Sequence, residues 1–124
     1  MNSTTVLLRQ AHPKFMDGAQ ITSQVFMPFP KDNGHLSAYD GDLISAEDSY
    51  AHYTQSLGYE SHSVWGVSKA EADIEGVPAR SDQLPDSPAH SIIDFSGKSD
   101  KACRKLAKRL KDLALARGCQ YSPS

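Results

Sequence analysis

The 124-residue sequence predicts a single α+β domain over residues 1–124, in which a small, mainly antiparallel sheet carries two longer helices on one face. Segments of strand-like composition alternate irregularly with capped stretches of helical periodicity. A chain of this length buries most of the apolar surface that its unfolded form exposes, and 39% hydrophobic residues lies within the range of globular domains.

Five short segments have the composition of β-strands. They contain β-branched and aromatic residues, and turn-forming pairs such as His12-Pro13 and Asp17-Gly18 separate them. The predicted strands cover residues 6–10, 21–27, 36–39, 63–67 and 90–95.

The first of the two longer helices is predicted over about residues 45–57. Ser45 can accept a hydrogen bond from the backbone N–H of Asp48 as N-cap, and Gly58 supplies a C-cap. Four residues recur at i, i+4, i+7 and i+11 and form one apolar stripe: Ala46, Tyr50, Tyr53 and Leu57. This stripe is expected to face the sheet.

The second helix is predicted over about residues 100–117, between Ser99 as N-cap and Gly118 as C-cap. Its apolar arc consists of Ala102, Cys103, Leu106, Ala107, Leu110, Leu113 and Ala114. Burial of each leucine contributes roughly 1.5–3 kcal/mol, which is enough to dock the helix on the core. The opposite, basic face is therefore expected to point outward.

Charge is strongly separated along the chain. Residues 98–124 carry eight basic and two acidic side chains, a net charge of +6, whereas residues 1–97 carry five basic and thirteen acidic side chains, a net charge of −8. Like charges held close together raise the free energy unless a partner offsets them. The asymmetry therefore indicates that the basic segment contacts something acidic, although a charged outer face is also typical of an ordinary solvated helix.

The leading functional hypothesis is a non-catalytic interaction domain or accessory subunit that binds an acidic protein partner. The contact surface, which we call the basic face, would comprise Lys101, Arg104, Lys108, Lys111 and Leu115. A leucine among cations suits a partner that is acidic and partly apolar. Self-association is a second possibility, with the basic helix meeting the acidic residues 71–75 of a neighbouring copy.

Nucleic-acid binding through the same helix is a further alternative. A basic face could neutralise several phosphates and would make affinity fall steeply with salt. The acidic remainder of the chain would repel a polyanion, and the sequence has no helix-turn-helix, zinc-finger or aromatic RNA-binding pattern. Binding to an acidic protein is therefore the favoured hypothesis.

An alternative from a different class is a small enzyme that handles a phosphoester or a nucleotide. Its candidate site consists of Arg9, His12, His35, Asp40 and His90. The arginine would hold the anion, and a histidine would act as general acid or base. Each histidine alone is more typical of a surface or half-buried position, so this hypothesis depends on their meeting in one pocket.

The remaining expectations concern cofactors and location. Asp40-Gly41-Asp42 has the spacing of a turn before a helix rather than of a calcium loop, so no metal and no cofactor are predicted. No window approaches the ~18 apolar residues of a membrane span, and the first residues do not resemble a secretory signal. Cys103 and Cys119 are expected to be free thiols, as in a cytoplasmic protein.

Overall fold

The computed structural model describes residues 1–123, and its centre is a five-stranded antiparallel sheet. The strands within the described residues are β1 (Val6–Ala11), β2 (Met16–Asp17), β3 (Gln20–Ile21), β4 (His35–Asp40), β5 (Ser63–Ser68), β6 (Ala79–Ser81) and β7 (His90–Asp94). The sheet has the order β5-β1-β4-β7-β6, and β2 pairs with β3 in a separate two-stranded ribbon.

Three α-helices accompany the sheet: α1 (Ala46–Ala51), α2 (Lys69–Ile74) and α3 (Asp100–Arg117). A π-helical turn, His52–Ser56, continues α1, so the combined segment agrees with the predicted first helix. The Ser45 hydroxyl accepts the backbone N–H of Asp48 at 3.0 Å, as its N-cap position predicts. Helix α3 has the predicted bounds. Across the described residues, no helix is long and apolar enough to cross a membrane.

The α+β class, the antiparallel sheet and both longer helices are confirmed, but the helices cover opposite faces of the sheet. Leu7 packs in the same cluster as Leu110 of α3, whereas Leu8 packs in a second cluster with Tyr50 of α1. Successive residues of a strand point to opposite faces, so these two leucines assign the helices to different sides. Helical periodicity shows that a helix has an apolar side, but it does not say which face of the sheet that side meets.

The predicted strand over residues 21–27 is wrong beyond its first residue. β3 ends at Ile21, and Ser23–Phe26 forms a 3-10 turn. Val25 and Phe26 are nevertheless fully buried in the cluster beneath α3. A short apolar run indicates burial, but tertiary packing decided that this one is a helical turn.

Strands β1 and β4 pair over only two residues, although each strand is six residues long. The pairs are Leu7 with Asp40 and Leu8 with Tyr39. Beyond these two pairs, the Arg9 side chain links the two strands, because its Nη1 donates to the Ser37 carbonyl of β4 at 2.7 Å. Its Nε and Nη2 donate to the Val25 carbonyl at 2.9 and 2.7 Å. Arg9 therefore joins β1 to β4 and to the 3-10 turn.

The burial of α3 predicts a large effect of shortening its central leucine. Leu110 is fully buried, so Leu110→Ala should lower the free energy of unfolding by about 2–5 kcal/mol, because it removes apolar contacts and leaves a cavity. Urea denaturation followed by circular dichroism measures the change. Lys108→Ala, at an exposed position of the same helix, should alter it by no more than about 0.5 kcal/mol. Equal effects of the two substitutions would contradict the assigned orientation of α3.

Candidate functional site

A groove of about 250 Å³ lies on the α1 face of the sheet, above the place where β1 and β4 part. Its apolar and aromatic walls are formed by Leu8, Tyr39, Tyr53, Leu57, Tyr59 and Leu84. Its polar side chains include Arg9, Ser37, His52 and His90. We call this cavity the groove. The rings of Tyr53 and Tyr59 lie 5.2 Å apart and form one aromatic wall.

Arg9 contributes a cation to the lining of the groove, and Asp86 contributes a carboxylate. Three of the five N–H groups of its guanidinium donate to the carbonyls of Val25 and Ser37, which leaves two without an acceptor among the described residues. No carboxylate of residues 1–123 forms an ion pair with Arg9. Burial lowers the pKa of Arg9 to about 10, so the side chain remains a cation at neutral pH. The same cation counters the rise that burial causes in the pKa of Tyr53.

His90 stands between a hydroxyl and a carboxylate. The pairing of β4 with β7 sets Tyr39 opposite His90, so Ser37, two residues along β4, lies on the same face of the sheet. His90 Nε2 lies 3.2 Å from Ser37 Oγ. Its Nδ1 lies 3.1 Å from the Asp82 carboxylate and 2.9 Å from the Asp82 backbone carbonyl. Both groups on the Nδ1 side are acceptors, so Nδ1 carries the proton and Nε2 accepts from Ser37 in the neutral imidazole.

A second histidine of the groove contacts a buried phenol. Burial raises the pKa of Tyr39 to about 12, so its hydroxyl stays protonated and donates to His52 Nδ1 at 2.7 Å. His52 Nε2 then carries a proton and faces the Asp86 carbonyl at 3.2 Å. His52 also opens the π-helical turn that follows α1. Such turns are rare and occur frequently at functional sites.

Of the five residues of the predicted enzyme site, the structure brings Arg9 and His90 to the groove. His12 caps a short turn, where its Nδ1 accepts the backbone N–H of Lys14 at 3.0 Å. Asp40 is buried at the end of β4 and accepts the backbone N–H of Asp42 at 2.8 Å. His12, His35 and Asp40 do not line the groove. Within residues 1–123, no three His, Cys, Asp or Glu side chains come close enough together to hold a metal ion.

His35 lies at the start of β4 in a separate polar cluster. Its Nε2 is 3.8 Å from the Asp94 carboxylate, which also binds Arg80 Nη1 at 2.7 Å. Hydrogen bonds from Ser96, together with Arg80, hold the pKa of Asp94 well below its usual range. This cluster ties the end of β7 to β6.

The basic face of α3 divides into free and engaged residues. Lys101, Arg104 and Lys108 are exposed, and none of them forms an ion pair within the part of the chain that the structure describes. Lys111 is half-buried and contacts the neighbouring Asp112 at 2.9 Å. Leu115 is half-buried and packs against the edge of the main core.

The other flank of α3 meets acidic residues of the same chain. Arg109 pairs with Glu75 at 3.1 Å, and Arg117 pairs with Glu71. Glu71 also accepts the backbone N–H of Ser68 at 2.7 Å and completes the capping box of α2. Acidic residues 71–75, which were a predicted contact for a neighbouring copy, therefore have partners within their own chain.

Sequence reasoning missed Ser37, Tyr39 and His52 as groove residues and Asp82 as the residue that contacts His90. Ser37 and Asp82 carry no local signal, because a single serine in a strand and a single aspartate in a loop are common surface residues. The sequence around Tyr39 predicts only an extended segment, and the helical spacing of Tyr53 predicts a place in an apolar stripe. The pairing of β4 with β7 brings these residues together, and sequence periodicity does not specify that pairing.

Comparisons with protein-family models, with curated proteins and with solved structures find no match for this chain.

The Asp94 cluster predicts an acid-dependent contribution to stability. Asp94 has a lowered pKa in the folded state, so its contribution is complete above the unfolded value of ~3.9 and is lost as the pH falls below it. Asp94→Asn should therefore cost roughly 1–3 kcal/mol at pH 7 and less at about pH 2, because the loss is spread between the unfolded value and the much lower folded-state pKa. Urea denaturation at both pH values measures this difference. Asp112→Asn, at a largely exposed carboxylate, serves as the control and should change stability little at either pH. A cost of Asp94→Asn that does not change with pH would refute the assigned contacts.

Proposed function

We propose that the groove binds a small organic anion that has an apolar or aromatic body. The observation that carries this proposal is Arg9, a cation at the sheet gap with two spare N–H donors and no carboxylate partner among residues 1–123. Guanidinium binds carboxylates and phosphates through paired N–H donors.

The lining of the groove suits the rest of such a ligand. Tyr53, Tyr59 and Leu57 offer ring faces and aliphatic surface, and most of the accessible lining is apolar, although Asp86 also lines the groove. Small-molecule sites commonly combine mostly apolar walls with a few placed polar groups that fix orientation. The volume of about 250 Å³ lies just below the ~300–1,000 Å³ typical of drug-sized ligands, so a compact ligand such as an aromatic carboxylate is favoured.

Arg9 also has a structural role. Its bonds to Val25 and Ser37 bridge the gap between β1, β4 and the 3-10 turn. A purely structural arginine would be satisfied by these carbonyls and by solvent. Arg9 has two spare N–H donors and lines a mostly apolar cavity, which supports ligand binding in addition to its structural role.

The charge of Arg9 predicts discrimination between matched ligands. Benzoate should bind at least roughly tenfold more tightly than the neutral benzamide, since a charged hydrogen bond contributes about 1.5–3 kcal/mol. Isothermal titration calorimetry measures both affinities. Arg9→Gln should abolish the preference, whereas Arg80→Gln, at an arginine outside the groove, should leave it unchanged.

A groove-filling variant keeps this test decisive if Arg9→Gln does not fold. Ser37→Phe retains Arg9 and the Ser37 carbonyl but places an aromatic ring in the cavity, so it should remove benzoate binding. Equal affinities for benzoate and benzamide in the unmodified protein, or benzoate binding that survives Ser37→Phe, would refute the proposal.

We propose as a second candidate function that the basic face of α3 binds an acidic protein, as an accessory subunit would. Lys101, Arg104 and Lys108 support it, because they are exposed and have no ion-pair partner within residues 1–123. An acidic partner is favoured over a second copy of this chain, since Glu71 and Glu75 are engaged by Arg117 and Arg109.

Charge reversal on the basic face tests this second candidate. Arg104→Glu combined with Lys108→Glu should remove proteins that co-purify with the unmodified chain, because attraction becomes repulsion. The matched control, Lys14→Glu combined with Lys31→Glu, reverses two exposed charges elsewhere and should retain them. Quantitative mass spectrometry compares the three preparations. Partners that survive the α3 reversal would contradict the candidate, and loss of nucleic acid rather than protein would support the nucleic-acid alternative instead.

We also propose a cytoplasmic location. Cys103 and Cys119 are both free, and Cys103 is buried in the core, where burial raises the pKa of its thiol. Unpaired thiols of this kind are typical of a reducing compartment.

A further inference from the structure

We propose that Ser37, His90 and Asp82 form a nucleophile, a general base and an orienting carboxylate that hydrolyse a small acidic ester in the groove. This inference rests on the proposed function, because Arg9 would hold the acidic group of the substrate. The three side chains come from β4, from β7 and from the loop after β6, and the first two line the groove.

The hydrogen bonds run in the direction that nucleophile activation requires. His90 Nδ1 donates to the Asp82 backbone carbonyl at 2.9 Å and lies 3.1 Å from the Asp82 carboxylate, and these two acceptors fix the tautomer in which Nε2 is unprotonated. Nε2 then accepts from Ser37 Oγ at 3.2 Å. A serine bound to a histidine that is itself oriented by a third group is the arrangement that recurs in unrelated acyl-transfer enzymes.

Accessibility is consistent with a reaction at Ser37. The Ser37 side chain is exposed on the groove side of β4, and the His90 side chain is 20% exposed. A substrate can therefore approach the hydroxyl without a rearrangement of the sheet.

Arg9 lies close to the proposed nucleophile. Its Nη1 donates to the backbone carbonyl of Ser37 itself, at 2.7 Å, so the guanidinium and the hydroxyl belong to one small region. A compact ester with a carboxylate at one end can bind Arg9 and present its carbonyl carbon to Ser37. The spare donors of Arg9 and the set Ser37, His90 and Asp82, which we call the relay, can therefore act on the same substrate.

The reaction balances with water as the only co-reactant. Ser37 Oγ attacks the ester carbon, and His90 Nε2 takes the hydroxyl proton. The C–O bond to the leaving alcohol breaks, and the alcohol takes that proton from His90. Water then attacks the acyl carbon while His90 Nε2 takes one of its protons; the bond from that carbon to Ser37 Oγ breaks, and Oγ takes the proton from His90, which releases a carboxylic acid and restores the Ser37 hydroxyl.

A serine-directed fluorophosphonate tests the nucleophile directly. Ser37 Oγ should displace fluoride from phosphorus, and the mass of the intact protein should rise by one phosphonyl group, which peptide mapping assigns to Ser37. Ser37→Ala and His90→Asn should both prevent labelling. His35→Asn is the matched control, because His35 also lies beside a carboxylate, Asp94, but outside the groove, and it should label normally.

Ester hydrolysis provides the second measurement. The mono-4-nitrophenyl ester of succinic acid should be hydrolysed with a kcat/KM at least roughly tenfold above that of the neutral propionate ester, because only the former has a carboxylate for Arg9. His90→Asn should lower kcat by about 10²–10⁴-fold, the usual contribution of a general base. Circular dichroism and the Tm of each variant confirm that it is folded.

Asp82 is a positioning residue, and its test separates positioning from structural support. Asp82→Asn should lower kcat less than His90→Asn does, because the Asp82 carbonyl still holds Nδ1. Asp82→Glu should restore part of the rate. In a His90→Asn background, Asp82→Asn should have no further effect, since the two residues act as one unit.

The possible results distinguish the two proposals. If benzoate binds but Ser37 is not labelled and Ser37→Ala leaves hydrolysis unchanged, the relay is wrong and the anion site stands. If Ser37 is labelled and both esters react equally, the relay stands and the anion site is wrong. Absence of both binding and labelling overturns both proposals.

Discussion

The side chain of Arg9 is the contact on which the arrangement of this protein depends. β1 and β4 are neighbours in the sheet, yet their backbone ladder stops after two pairs, and the guanidinium supplies donors where the ladder ends. The same side chain holds the Val25 carbonyl of the 3-10 turn that packs beneath α3. Arg9 therefore contacts the core on one face of the sheet and lines the groove on the other face.

The two longer helical segments cover opposite faces of the sheet, and the groove lies on the face that carries α1. α3 buries its apolar arc against the larger cluster, whereas α1 continues into a π-helical turn that carries His52 and Tyr53 to the side of the sheet gap. Packing of the aromatic side chains therefore creates both the wall of the groove and its polar contacts.

Electrostatics divides the basic segment into two parts. Arg109 and Arg117 pair with Glu75 and Glu71 and bind α3 to α2. On the outer side of the helix, Lys101, Arg104 and Lys108 meet solvent. Part of the charge separation seen along the chain is thus used within the fold, and the remaining cations form a surface that is separate from the groove.

The sequence by itself determined the local elements: the α+β class, the bounds of α3, the N-cap at Ser45 and most of the strands. Tertiary structure alone decided that the helices lie on opposite faces, that Ser23–Phe26 is a 3-10 turn, and that Arg9 and His90 share a groove while His12, His35 and Asp40 do not. The physical reason is distance along the chain. Caps and periodicity act over a few residues, whereas the contacts of Ser37 with Arg9 and with His90 span 28 and 53 residues and follow from strand register.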